Sequence, residues 1–176
     1  MGHARTRPLY RLKRWMYPHN RPNWLARALN NVSVAQFRSG VLANRRWVVM
    51  EVPGFRSGRT VSCPLVVAPV AGHRYLVSML GPDSNWVRNV RAADGHVVLR
   101  HRDRETVQLV EVPVADRARI IKRYLDFAPG ARPHIPVDRH APLEEFEKIA
   151  DRIPVFRITA DAAVDAAARR MPAISR

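Results

Sequence analysis

One hundred and seventy-six residues, 47% of them apolar, suffice for one domain with its own core and are too few for two ordinary domains. A single cysteine, Cys63, excludes an intrachain disulfide framework and any clustered-cysteine zinc or iron–sulfur site. Thirty basic residues against fifteen acidic ones give +15, and residues 1–60 carry twelve of those cations with one acid, Glu51, a field that selects polyanionic partners.

In chain order, residues 1–22 show no clean period, contain Pro8, Pro18 and Pro22, and read as an arm. There Arg5, Arg7, Arg11, Lys13, Arg14 and Arg21 alternate with Leu9, Tyr10, Leu12, Trp15, Met16 and Tyr17. Such a segment can rest on an anionic bilayer, cations at the headgroups and aromatics at the interface, or fold over the domain as a lid. The prolines prevent one continuous amphipathic helix, which leaves a disordered tail as the third reading. The start has no signal-peptide apolar core, and no apolar run approaches the roughly 18 residues of a membrane span. The expectation is therefore a cytoplasmic protein, with a peripheral contact at the inner face of the plasma membrane if the arm takes the first of these three readings.

Residues 23–176 read as a single domain. Asn23 caps a helix whose apolar set is Trp24, Leu25, Ala28, Leu29 and Val32, ending near Gly40. A β-branched run from Trp47 to Val52 closes at Pro53 and Gly54, a second spans Thr60 to Val70, and the turn at Ala71 and Gly72 leads to a third at Tyr75 to Ser78. Asp83 or Ser84 caps a helix through Trp86, Val87, Val90 and Arg91 that stops before Gly95. His96–Arg100 and Thr106–Val112 bracket Arg102 and Asp103 as a hairpin, with Val107, Leu109 and Glu111 on one face. A helix from Asp116 to Phe127 ends at Pro129 and Gly130, Pro142 with Glu144 and Glu145 starts another, Val155–Ile158 is a strand, and an alanine-rich tail with Val164 closes the chain. Short consecutive strands with hairpin turns, without strand–helix alternation, favour an α+β fold: an antiparallel sheet of six to seven strands curled into a small barrel, helices outside.

Several chemistries lack their apparatus. The eight glycines form neither a dinucleotide fingerprint nor a phosphate loop followed by Lys and Ser or Thr. His134 and His140 flank Asp138 in a proline-rich loop that suits solvent as well as a metal, and no metal is expected. Cys63, beside Pro64 in a strand, reads as a small buried residue. Trp15, Trp24 and Trp47 would suit stacking in a nucleic-acid-binding barrel, yet no nucleic-acid-reading motif accompanies them.

Two segments carry the signal. Gly54, Arg56, Ser57, Gly58 and Arg59 make a basic glycine turn before Pro64 and Leu65, where amides, a hydroxyl and guanidinium groups can converge on phosphate or carboxylate. Ser78, Met79, Leu80 and Gly81 then lead into a helix start followed by Trp86, Asn89, Arg91 and Ala92, where amides and helix dipole favour anions.

In this order and separation the two segments, with the Pro154–Arg157 strand, resemble the deazaflavin-dependent nitroreductase family over about Trp47 to Ile158. The resemblance implies a split β-barrel binding coenzyme F420, an 8-hydroxy-5-deazaflavin, and hydride transfer to a small organic acceptor such as a quinone, nitroaromatic or activated alkene. It also implies that Arg56, Ser57 and Arg59 hold the phosphate region, that Ser78–Gly81 passes along the ring or its linker, and that Trp86, Asn89 and Arg91 buttress the site. Tyr124, Trp15 and Tyr17 are the substrate-side candidates. Phe55 stands where the family usually has a basic residue and Val61 where many members have arginine, so one anion contact is absent or supplied by Arg45, Arg46 or Arg74. The same barrel is used by FMN- and haem-binding relatives and by non-catalytic cofactor carriers, which form the alternative reading. Oligomeric state is not fixed by the sequence.

Overall fold

β-branched residues at alternate positions, broken by Gly and Pro turns, become six strands: β1 (Trp47–Pro53), β2 (Thr60–Val70), β3 (His73–Val77), β4 (His96–Arg100), β5 (Arg104–Glu111) and β6 (Val155–Ala160). All pairings are antiparallel and close a barrel in the order β1-β2-β3-β6-β5-β4. Helices α1 (Asn85–Ala92), α2 (Val114–Phe127) and α3 (Leu143–Glu147) flank it, with 3-10 turns at Pro129–Ala131 and Ala150–Arg152. The fold is α+β, as expected, with six strands among the described residues. The structure, a computed structural model, describes residues 46–161. The arm 1–22, the helix expected from Asn23 and the tail with Val164 lie outside the described residues.

β2 is the strand that splits the barrel. Its first seven residues pair with β1, Thr60 through Val66, and its last four pair with β3, Val67 through Val70. On the side away from β1, Thr60–Val66 therefore has no strand neighbour among the described residues. The register places Val61, Cys63 and Leu65 opposite Val52, Met50 and Val48, so all six face the barrel interior. Val61 is exposed, while Cys63, Pro64 and Leu65 are half-buried, which marks an apolar edge open on one side.

Two cores meet across the barrel wall. Inside, Met50, Leu76, Val107 and Phe156 pack together, and α1 adds Val87 and Val90. Outside, α2 lays Ile121, Tyr124 and Leu125 against Ala68, Val77 and Val155, and α3 adds Phe146. Each such fully buried side chain contributes about 1.5–3 kcal/mol.

The departures from the expected elements are at their ends. β3 starts at His73 instead of Tyr75 and stops at Val77, because His73 and Arg74 pair with Val70 and Pro69 while their side chains face solvent. β5 starts at Arg104 because Arg104 and Glu105 pair with Arg100 and Leu99, lengthening the ladder into residues whose polarity suggested a loop. α2 begins two residues early, at Val114, directly behind Pro113 in the N-cap position. No helix among the described residues is long and apolar enough to cross a membrane.

Candidate functional site

The basic turn is built by glycine. Gly54 N donates to Arg59 O at 2.9 Å, and Gly54 O accepts from Ser57 N at 3.1 Å and Gly58 N at 2.8 Å. A Cβ on Gly54 would lie 2.9 Å from Ser57 Oγ and 3.2 Å from the Val61 side chain, and Gly58 holds φ at +65°, so both positions require glycine. Ser57 Oγ accepts from Arg59 N at 3.3 Å and thus shapes the turn. Arg56 and Arg59 are exposed, and no carboxylate pairs with either among the described residues. Arg56 instead lies over the Phe55 ring, 5.1 Å from its centroid. Two exposed arginines of one short turn, neither paired with a carboxylate among the described residues, can receive phosphate or carboxylate.

The second segment is locked from below. Ser78 Oγ donates to Gly81 O at 2.8 Å and bonds Ser84 Oγ at 2.9 Å, while Ser78 N donates to Pro154 O at 2.9 Å. Ser84 occupies the N-cap of α1 without a side-chain cap, because its hydroxyl is committed to Ser78. Trp86 packs on Phe156 with ring centroids 5.4 Å apart, which assigns it packing work. Asn89, 3% exposed, accepts the Phe55 N–H through Oδ1 at 3.0 Å. One hydrogen bond across 34 residues thus ties the basic turn to α1.

Arg91 is turned away from the turn. Its guanidinium binds Glu111 two-pronged, Nε–Oε2 3.0 Å and Nη2–Oε1 2.8 Å. Glu111 also accepts from Arg117 Nη2 at 3.1 Å, and the buried Arg117 donates to Val112 O and Ala150 O as well. Arg91 therefore buttresses α1 against β5 and α2. Arg88 pairs with Asp83 at 2.7 Å.

The Arg91 hydrogen bonds, against the opposing effect of burial, hold the Glu111 carboxyl below the usual carboxylate range, and Arg74 does the same for Glu105. A depressed folded-state pKa contributes stability that is fully present above the unfolded value of about 4.3 and lost as pH falls through the folded one. Thermal melting is accordingly expected to drop below about pH 5, with Glu111→Gln less stable at neutral pH but showing a shallower acid decline.

The other sequence candidates fall in several places. Pro64 and Leu65 lie on the open edge of β2, and Met79, Leu80 and Gly81 line a cleft of about 250 Å³. Tyr124 is 5% exposed in the helical core, where burial pushes its hydroxyl pKa up, so its place on α2 gives it packing work against the barrel wall. Trp15, Tyr17 and Arg45 lie outside the described residues. Arg74 is engaged by Glu105, and Arg46 stacks 4.3 Å from the Phe127 ring centroid, so neither substitutes at the turn. Burial raises the Cys63 thiol to about 12, leaving no thiolate at neutral pH. Among the described residues no three metal-ligating side chains gather, and Asp138 Oδ1 accepts from His140 N at 2.8 Å.

Glu111 is the residue whose work the sequence did not disclose, and for Asn89, expected as a buttress, the structure supplies the partner, Phe55 N–H. Asn89→Ala is expected to loosen the turn and lower stability by about 1–2 kcal/mol, since it leaves a tethered amide unpaired. Thermal melting measures that loss, and a deazaflavin titration of the same variant should show weaker binding with Arg56 and Arg59 intact.

The residues present comprise two exposed arginines without a carboxylate partner among the described residues, a half-buried apolar strand edge and a glycine loop. No protein-family model matches the chain, and no curated protein matches it. Among solved structures the chain is similar to an F420-H2 dependent reductase, at 22% identity over 65% of this chain and 94% of that one, TM-score 0.43. It is similar also to a domain-swapped dimer at 22% identity over 77% and 96%, TM-score 0.46, and to a haem-binding protein from Mycobacterium smegmatis at 14% identity over 70% and 50%, TM-score 0.43.

Proposed function

We propose that this protein is an oxidoreductase that binds coenzyme F420 and passes a hydride to a small organic acceptor, a quinone, nitroaromatic or activated alkene. The observation that carries the reading is the Phe55 N–H to Asn89 Oδ1 bond, which joins the two segments of the family resemblance beside a turn whose Arg56 and Arg59 pair with no carboxylate among the described residues. The deazaflavin, when bound, supplies a two-electron hydride from a ring carbon. The chain's own work is to hold and orient. Arg56 and Arg59 grip phosphate and carboxylates with their planar forks, and the Ser57 hydroxyl keeps the turn that presents them. The open edge at Cys63–Leu65 and the loop at Ser78–Gly81 offer apolar and backbone surface along which a flat ring is aligned and partly shielded from water. Burial pushes the Cys63 thiol and the Tyr124 hydroxyl up, away from ionisation at neutral pH, which agrees with a site that works by placement.

The test is isotopic. With stereospecifically deuterated reduced deazaflavin, the label is expected in the reduced acceptor without exchange into water. Label appearing in solvent before transfer, or accumulation of a radical, contradicts the reading.

A further inference from the structure

The cleft of about 250 Å³ beside the glycine loop is lined by Met79, Leu80 and Gly81 on one side and by His134 and Arg152 from two other segments. Both polar side chains stand next to buried anchors. His134 follows the 3-10 turn, its N–H bonded to Ala131 O at 2.9 Å, and neighbouring Ile135 is 3% exposed. Arg152 ends the second 3-10 turn, its N–H bonded to Ile149 O at 3.1 Å, beside Ile153 at 5% exposure. The Arg152 side chain is 77% exposed, and its nearest carboxylate, Asp151, sits a loose 3.9 Å away. Ile149 and Ile153 complete an apolar wall.

A cleft with an apolar wall, one cation and one imidazole suits a neutral conjugated molecule whose oxygen becomes negative during reaction. Among the residues lining it, Arg152 brings the cation and His134 the imidazole. We infer that this cleft is the acceptor subsite, with His134 as proton donor and Arg152 as the clamp on the acceptor's oxygen; this rests on the proposed hydride transfer. For an α,β-unsaturated ketone the balance is complete. The β-carbon gains the hydride and its electron pair from the reduced deazaflavin, the alkene π pair moves toward oxygen, and that oxygen takes the proton as the imidazolium N–H breaks. The resulting enol tautomerises to the saturated ketone, and His134 regains its proton from solvent.

The experiment uses the full chain with reduced deazaflavin and cyclohex-2-en-1-one. His134→Gln is expected to lower kcat by about 100-fold, the scale of general acid catalysis, and to erase the fall in rate at alkaline pH. Arg152→Ala is expected to lower kcat/KM about tenfold, and both variants should keep deazaflavin affinity within about twofold. A second readout needs no turnover: the imidazole proton resonance of His134 in the cofactor-free protein should shift as 4-hydroxybenzaldehyde, whose phenolate mimics the enolate, is added, and Arg152→Ala should weaken that binding. An unchanged rate and pH profile in His134→Gln overturns the inference, as does a His134 resonance indifferent to the phenol. Loss of deazaflavin affinity in Arg152→Ala also overturns it, by giving the cleft to the cofactor's tail. If the wild-type chain binds no deazaflavin, the proposed function fails, and the resonance titration still decides whether the cleft takes an oxyanion.

Discussion

Alanine at Arg56 or Arg59 is expected to weaken deazaflavin binding by about 1–3 kcal/mol each, the range for losing a charge-assisted hydrogen bond to an anion. The double variant should lose about 100-fold or more, with the barrel's melting temperature unchanged, because both side chains are exposed and neither pairs with a carboxylate among the described residues. Wild-type affinity should also fall with added salt, since both groups are exposed. Fluorescence quenching of the deazaflavin measures all three. Unchanged affinity in both single variants removes this turn from the site.

Gly95→Val is expected to be the most damaging small substitution for stability, at about 2–4 kcal/mol, combining left-handed backbone strain with a steric clash. Gly95 holds φ at +81°, and a Cβ there would stand 2.4 Å from the Leu109 carbonyl oxygen, which cannot move without breaking β5. The residue is also a junction: its N–H closes the end of α1 on Val90 O at 2.9 Å, and its carbonyl receives Leu109 N–H at 2.8 Å. Urea unfolding of the variant measures the loss. A midpoint close to wild type would mean that α1 is not held to the barrel through this turn.

Local pattern carried most of the barrel. β2 was legible to the residue, Thr60–Val70, because Gly58 and the Ala71–Gly72 turn bracket a β-branched run. β3 and β5 were read short at their N-termini, because the solvated outer face of an antiparallel strand has the polarity of a loop. The buried face of α2 is periodic and visible, and the same period carries Tyr124 into it, three residues after Ile121 and four after Ile120. The two site segments were recognisable by their residues, while their meeting was not. Asn89 reaches Phe55, and Glu111 reaches Arg91 and Arg117, only because barrel closure brings distant segments together, and no local period encodes such a contact. His134 does lie in a turn, as its surroundings in sequence suggest, and tertiary packing alone makes Arg152 and the glycine loop its neighbours around the cleft.

The central claim concerns which cofactor the turn and the open strand edge receive, and parallel titration of the purified full-length protein with oxidised deazaflavin, FMN and haem tests it most directly. Absorbance and fluorescence quenching should show saturable deazaflavin binding at micromolar or tighter concentration, weak or absent FMN and haem binding, and loss of the deazaflavin response in the Arg56→Ala, Arg59→Ala double variant. Tight FMN or haem binding that deazaflavin fails to displace, undiminished in that double variant, would contradict it.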